Sequence, residues 1–188
     1  QPGKPWLGRQ PTDLASPASP IKILTATAAL HVLGPSRRIF TRVLSTAPVV
    51  NGVLNGDLVL VGGGDPTLSA GVDPDRYPNP ATLSALATQV RRSGVKTVTG
   101  RLLLDATLFA GPTIGPGWRD SYVREGSVAP VSALEVDEGR PLKNPTRGAR
   151  TLAPISDAGN AFATALISAG VHTARPTIEG TAPAGAKT

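Results

Sequence analysis

Apolar residues fall into a few dense runs, separated by stretches rich in proline and glycine. The first 18 residues are polar and proline-rich and predict an extended lead-in. From Pro20 to Leu33 nearly every residue is apolar over a length that predicts a helix, and Gly34-Pro35 stops it. The stretch IFTRVLSTA alternates well enough for a strand. NGVLNGDLVLVGGG (51–64) predicts a turn and a second strand ending in glycines, so the two read as an antiparallel hairpin. Residues 65–80 read as loop. In ATLSALATQVRRSG (81–94), Leu83, Leu86 and Val90 share one helical face, the end is basic and a glycine stops it. Residues 97–109 and 127–136 predict strands, with a rigid loop at 111–118 between them. A polar loop at 138–154 leads to an alanine-rich helix over Asp157–Ala169, with Asp157 as N-cap and Gly170 as stop. Residues 172–180 predict a weak strand. No internal repeat is present. A compositional boundary near 62–80 separates a helix-plus-hairpin unit from a later α+β unit.

Composition narrows the classes. With 188 residues, 40% hydrophobic and 17% charged, the chain can bury a real core, and the 4% aromatic content means a core of Ala, Val, Leu and Ile. The 21 glycines and 19 prolines imply many irregular connections. No apolar run reaches the roughly 18 residues of a membrane span. The chain opens at Gln1 without Met or a secretory apolar region, and so reads as a processed or trimmed piece of something longer. Net charge is +6, but the basic residues are dispersed, the densest spots being Arg37-Arg38 and Arg91-Arg92, with no aromatic ladder beside them. That argues against a nucleic-acid groove. The absence of cysteine excludes disulfides and a thiolate nucleophile. Two histidines with no metal-binding spacing give no metal site, and no cofactor is implied.

One lysine interrupts the first apolar run. In Ser19-Pro20-Ile21-Lys22, serine is a favoured N-cap and proline a favoured first helical residue, so Lys22 falls in the first turn. Residues three apart share a face, with Cβ atoms about 5–6 Å apart. A helix apolar on every side is expected to be buried. Burial and the positive end of the helix dipole both disfavour the ammonium form. A neutral lysine beside a serine hydroxyl can take its proton, which activates the serine without a histidine. The alternative is that Ser19 only caps the helix and Lys22 snorkels to the surface. A second match at the same spacing, Ser93-Gly94-Val95-Lys96, straddles a helix stop after two arginines and reads as a decoy.

The string PASPIKILTATAALHVLGP (17–35) resembles the P-A-S-x-x-K-L-L-T-A segment of the serine-type D-alanyl-D-alanine carboxypeptidases, the class C low-molecular-mass penicillin-binding proteins of peptidase family S13. FTRVL (40–44), GDLVLVGGGDPTL (56–68), GRLLLDATLFAGPTIGPGW (100–118) and VSALEVDEGR (131–140) are similar to further segments of that family, in its order. The resemblance implies a partial α+β domain of the β-lactamase/transpeptidase type with a large inserted α+β region. It places residues 1–66 in the catalytic domain and 67–188 in the insertion. It implies Ser19 as acylated nucleophile and Lys22 as general base. Asp105 and Phe109 then match positions near the pocket for the peptide's penultimate side chain, against the plainer reading of a turn aspartate and a core phenylalanine. The implied partners are peptidoglycan stem peptides, which lose their terminal D-Ala, and β-lactam antibiotics, with cross-link endopeptidase activity in some members. The location implied is extracytoplasmic, after export.

The family also uses S-x-N and K-T-G elements. No S-x-N occurs here, Lys96-Thr97 is followed by Val98, and Lys187-Thr188 ends the chain. The resemblance therefore implies that the remaining C-terminal part of the same enzyme carries those motifs, and that this chain alone hydrolyses little or nothing. A β-lactamase and a non-catalytic cell-wall-binding module remain as alternatives. Gly62-Gly63-Gly64-Asp65 reads as a tight turn with close backbone approach rather than a phosphate loop. His31 reads as a core histidine, and His172 has no evident partners.

Overall fold

A computed structural model describes Leu14 and residues 16–71, 77–141 and 148–188. The chain forms two compact units, one ending at Arg38 and the other comprising Ile39–Thr188. The first contains α1 (Ile21–Leu33), close to the helix expected from the apolar run. Gly34 follows its last turn with φ 79°.

The second unit is built on three long strands, each bent once. The first arm of each lies in one sheet and the second arm in another. They are β3 (Val53–Leu54) with β4 (Leu58–Val61), β5 (Thr97–Val98) with β6 (Leu102–Asp105), and β7 (His172–Thr173) with β8 (Thr177–Glu179). Neighbouring strands run parallel, and the register survives the bend: Val53 faces Thr97 and Leu58 faces Leu102, while Thr97 faces His172 and Leu102 faces Thr177. Each strand therefore spends the same number of residues on its corner. The sheet orders are β1-β4-β6-β8 and β2-β3-β5-β7. Antiparallel strands complete both. β1 (Arg42–Ser45) pairs with β4, which realises the pairing expected from the sequence. β2 (Val49–Val50) and β3 form an intervening hairpin around Asn51-Gly52, whose φ angles of 50° and 84° suit a mirror-image two-residue turn.

The corner between β5 and β6 holds the closest backbone approach. Gly100 N–H donates to the Gly56 carbonyl at 3.1 Å, and a Cβ on Gly100 would lie 2.3 Å from that oxygen. Beside it the Asp57 carboxylate accepts from Arg101 N–H at 2.7 Å, and Asp57 N–H donates to the Thr46 hydroxyl at 2.7 Å. The strand expected over 97–109 is thus two short strands on either side of a glycine corner.

Parallel pairing needs crossover connections, and helices supply them. α2 (Leu83–Arg92) is capped by the Thr82 hydroxyl, which accepts from Ala85 N–H at 3.1 Å, and buries Leu83, Ala87 and Val90. α4 (Pro154–Ser168) starts three residues before the expected Asp157. Proline occupies its first position, where no donor is needed, so Asp157 falls in the first turn. α4 ends as foreseen at Gly170, whose φ is 79°. Val171 N–H donates to the Leu166 carbonyl at 2.8 Å and Gly170 N–H to Ile167 at 3.0 Å, with Leu166 and Val171 both fully buried. Gly159 of α4 lies against Leu104, where a Cβ would come within 2.4 Å of a methyl carbon. The core is aliphatic as the composition implied, with Phe162 its one fully buried aromatic among the described residues.

Residues 127–136 form no strand. Val131 N–H donates to Thr113 and the Ala133 carbonyl accepts from Gly64 N–H, single bonds to separate segments rather than a ladder. Pro130 offers no donor of its own. A four-residue helix, α3 (Ser121–Arg124), precedes this segment, and a left-handed turn follows it at Asp137, Glu138 and Gly139, with φ of 49°, 56° and 66°. Buried Asp137 holds that turn by accepting from the Ser69 hydroxyl and Ala70 N–H, both at 3.0 Å. The boundary expected at 66–67 falls inside the second unit, between β4 and the next strand of each sheet. Among the described residues no helix is long and apolar enough to cross a membrane.

A second buried carboxylate closes the far end of the sheet. Asp105, at the end of β6, accepts from Thr107 N–H (2.9 Å), the Thr107 hydroxyl (2.6 Å) and Ala182 N–H (2.7 Å). Burial pushes its pKa up, but the Thr107 hydroxyl and the two amides outweigh it, and the net shift is below the ordinary 3.8.

Two outcomes follow. Gly100→Ala should cost at least about 2 kcal/mol in urea unfolding, because backbone rather than a flexible side chain blocks the new methyl. Gly180→Ala, with nothing within 4 Å of its Cβ, should stay within about 0.5 kcal/mol. Equal effects would mean that the corner is not tight. Asp105→Ala should cost about 2 kcal/mol at neutral pH by removing charge-assisted bonds. The native carboxylate's contribution is present above the unfolded value near 3.8 and is lost as pH falls through its lower folded value. The gap between variant and parent should therefore close only at strongly acid pH.

Candidate functional site

The chemistry-bearing residues divide between the two units. In the first, backbone bonds wind a tight turn ahead of α1. Ile21 N–H donates to Ala18 at 3.2 Å, Lys22 N–H to Ser19 at 2.9 Å and Ile23 N–H to Pro20 at 3.0 Å. Ser19 and Lys22 thus close a single turn, as the spacing implied. The expected Ser19 cap is not formed. Pro20 holds the cap position with helical angles and no side-chain bond, because the first donors already meet backbone carbonyls. Ala18 sits at φ 47°, a left-handed conformation that costs an alanine of order 1 kcal/mol and presents the next residue at the mouth of the turn.

The surroundings of Lys22 differ from the expectation. All thirteen residues of α1 are exposed, including Ile23, Leu24 and Val32. His31, expected in a core, is exposed in the last turn. A helix this apolar is expected to be covered on its faces, and low polarity around Lys22 is what the activation argument requires. At the second match, exposed Ser93 ends α2 and donates its hydroxyl to the Val90 carbonyl at 2.8 Å, and Lys96 is also exposed.

In the second unit, Gly62, Gly63 and Gly64 run between close neighbours. A Cβ at the first two would lie 2.2 Å from the carbonyls of Ala133 and Phe40, and one at Gly64 would lie 2.5 Å from the Phe109 ring. This is the close backbone approach read from the sequence. Phe109 is a surface residue, 48% exposed, so the core-phenylalanine reading fails. Its ring covers Gly64 and borders two adjoining cavities. One, of about 320 Å³, lies by the ends of β6 and β8, next to Thr107, Thr113 and Glu179. The other, of about 270 Å³, is lined by Pro66, Pro130, Glu135, Glu138 and Arg150. The structure thus brings Asp105 and Phe109 together at the end of β6, but Asp105 is buried with its carboxylate engaged, and only Phe109 faces open space.

Glu135 was not singled out from the sequence. Its one signal is an acid inside the apolar run SALEV. Burial raises its pKa to about 7, against an opposing pull from the Arg150 guanidinium. Glu138 pairs with Arg140 at 2.9 Å and with Arg150 at 3.5 Å. Among the described residues no group of His, Cys, Asp or Glu is placed to hold a metal ion.

Comparison with known proteins places this arrangement. A carboxypeptidase of Mycobacterium tuberculosis is 41% identical over 174 residues, 91% of this chain and 35% of that protein. Carboxypeptidase DacB of Mycolicibacterium smegmatis is 38% identical over 153 residues, covering 80% of this chain and 32% of the relative. A D-alanyl-D-alanine carboxypeptidase of Actinomadura is 38% identical over 138 residues, or 73% of this chain and 24% of the relative. The chain thus spans about a third or less of the length of these relatives. The crystal structure of penicillin binding protein 4 (DacB) from Haemophilus influenzae shares the fold, with a TM-score of 0.71 at 20% identity over 91% of this chain and 49% of that one. The same protein has been crystallised in complex with a β-lactam. The model of the D-Ala-D-Ala carboxypeptidase 3 (S13) family matches residues 2–188, and the chain belongs to that family.

Proposed function

We propose that this chain is part of a penicillin-binding D-alanyl-D-alanine carboxypeptidase in which Ser19 is the acylated nucleophile and Lys22 its general base. The observation that carries this reading is the single turn joining Ser19 to Lys22, inside a chain matched almost end to end by the family model. Lys22 Nζ takes the Ser19 hydroxyl proton as Oγ attacks the carbonyl carbon of the D-Ala-D-Ala bond. The carbon–nitrogen bond breaks, the leaving D-Ala amine receives the proton, and an ester remains on Ser19. Water then attacks the ester, releases the shortened stem peptide and restores the serine. Cross-link endopeptidase action is the same step on a longer leaving group.

Two further requirements complete the site. A wall around α1 has to exclude water for Lys22 to act as a base, and S-x-N and K-T-G elements have to complete the site. Both are assigned to the remaining C-terminal part of the same enzyme. Residues 1–66 are assigned to the catalytic domain and 67–188 to an inserted region, whose strands pair back as far as β1. Phe109 is assigned a contact with the peptide's penultimate side chain, with Asp105 behind it fixing the loop. A stem-peptide substrate places the enzyme outside the cytoplasmic membrane.

Labelled penicillin tests this on the full-length enzyme. The parent should carry one covalent label, Ser19→Ala none, and Lys22→Ala should acylate at least about a hundredfold more slowly. Label persisting in Ser19→Ala would move the nucleophile elsewhere. Rapid loss of label from the parent would make the enzyme a β-lactamase.

A further inference from the structure

The parallel strands β3, β5 and β7 start at one end of the second unit, where Val53, Thr97 and His172 stand level. Three turns meet there: the Asn51-Gly52 hairpin, the turn from Ser93 to Lys96 after α2, and the Gly170 turn after α4. Lys96 N–H donates to the Gly52 carbonyl at 2.7 Å, and His172 N–H donates to the Lys96 carbonyl at 2.9 Å. The Lys96 alkyl stem lies over Gly52, and the Arg91 guanidinium lies beside Gly170, 3.5 Å from where a Cβ would stand. This end therefore carries Arg91, Arg92, Lys96 and His172, the last three fully exposed to solvent by class. Residues 49–55, 88–99 and 165–175, which build it, contain no Asp, Glu, Phe, Tyr or Trp. None of the four basic side chains forms an ion pair among the described residues. α2 and α4 both end here, and their C-terminal carbonyls together offset about one positive charge. α4 has no basic residue in its own last turn, so Arg91 of α2 serves that end. With Arg91, Arg92 and Lys96 set against the two helix ends, about two positive charges remain unmatched.

We infer that this end of the unit is a docking surface for a linear phosphate-bearing polymer, with Arg92 and Lys96 as its phosphate contacts. Charge complementarity is the basis: the surface is positive, lacks acids, and keeps its cations unpaired. The tips of the turns are Asn51, Gly52, Ser93, Gly94 and Gly170, which are small enough for a polymer backbone to lie across them. Docking on a membrane would ask for large apolar groups at those tips. Stacking of bases would ask for aromatic rings, so phosphate is the group this surface can read. The charge argument stands on the second unit alone. The proposed function supplies only the setting: an enzyme held along an anionic polymer of the cell wall stays close to the stem peptides it shortens.

The test titrates the full-length enzyme with a fluorescent inorganic polyphosphate of about 20 units over a range of salt concentrations. The parent should bind with an affinity that falls steeply as salt rises. Arg92→Gln combined with Lys96→Gln should weaken binding at least about tenfold at low salt and flatten the logarithmic salt slope by about 1.4, at about 0.7 for each lost contact. Arg92→Gln alone should give about half that change in slope. Arg37→Gln combined with Arg38→Gln removes the same charge from the first unit and should leave affinity and slope near the parent's. All are exposed surface substitutions, so thermal midpoints should hold. Three results would each overturn the inference: no salt-sensitive binding, equal losses in the two double variants, or tighter binding to phosphatidylglycerol vesicles than to polyphosphate at equal phosphate concentration. None of these readouts involves acylation of Ser19, so a failed penicillin label and a failed docking surface are separate results.

Discussion

The unbroken register through the strand corners is the constraint on which the second unit depends. Parallel pairing over both arms requires three strands to turn at the same level, and the backbones there approach within hydrogen-bonding distance. Gly56 and Gly100 permit that approach, and Asp57 fastens it from the side. With the corners fixed, the ends of β4, β6 and β8 are fixed too. Those ends carry the triglycine turn, Asp105 and Glu179, and so they set where Phe109 and its cavities open.

Two buried carboxylates then convert loose ends into fixed ones. Asp105 ties the loop after β6 to the tail after β8. Asp137 ties the left-handed turn to Ser69 and Ala70. Asp105 accepts from two backbone N–H groups and a hydroxyl, Asp137 from one backbone N–H and a hydroxyl, and such bonds make burial of a carboxyl group tolerable. Glu135, two residues before Asp137, is the contrast. It is drawn into the same irregular segment, and burial makes its proton correspondingly harder to remove.

Helices were legible because their signals are local. The apolar run of α1, the apolar face and basic end of α2, and the glycine after α4 each sit within a few residues of the element they define. The start of α4 was missed because Asp157 resembled a cap while Pro154 was the actual opening. The sheets were harder. Nothing near Gly100 marks it as a corner, because its partner Gly56 is far away in sequence. The run at 127–136 has strand composition but answers to single contacts from Gly64 and Thr113. At the site, the Ser19–Lys22 turn was readable from spacing, whereas the exposure of Lys22 was not, since a helix's apolarity says what it needs and not who supplies it. The resemblance pointed to Asp105 in the loop after β6, but how fully its oxygens are engaged depends on hydrogen bonds no pattern shows.

An uncovered α1 has a practical bearing on the material itself. A cylinder bearing Ile21, Ile23, Leu24, Leu30, Val32 and Leu33 in contact with solvent is a strongly adhesive object. In concentrated solution it invites self-association, chaperone capture and adsorption to surfaces, whatever the soundness of the sheets beyond Arg38. Handling losses with this polypeptide would then report on thirteen residues rather than on the folding of the other unit.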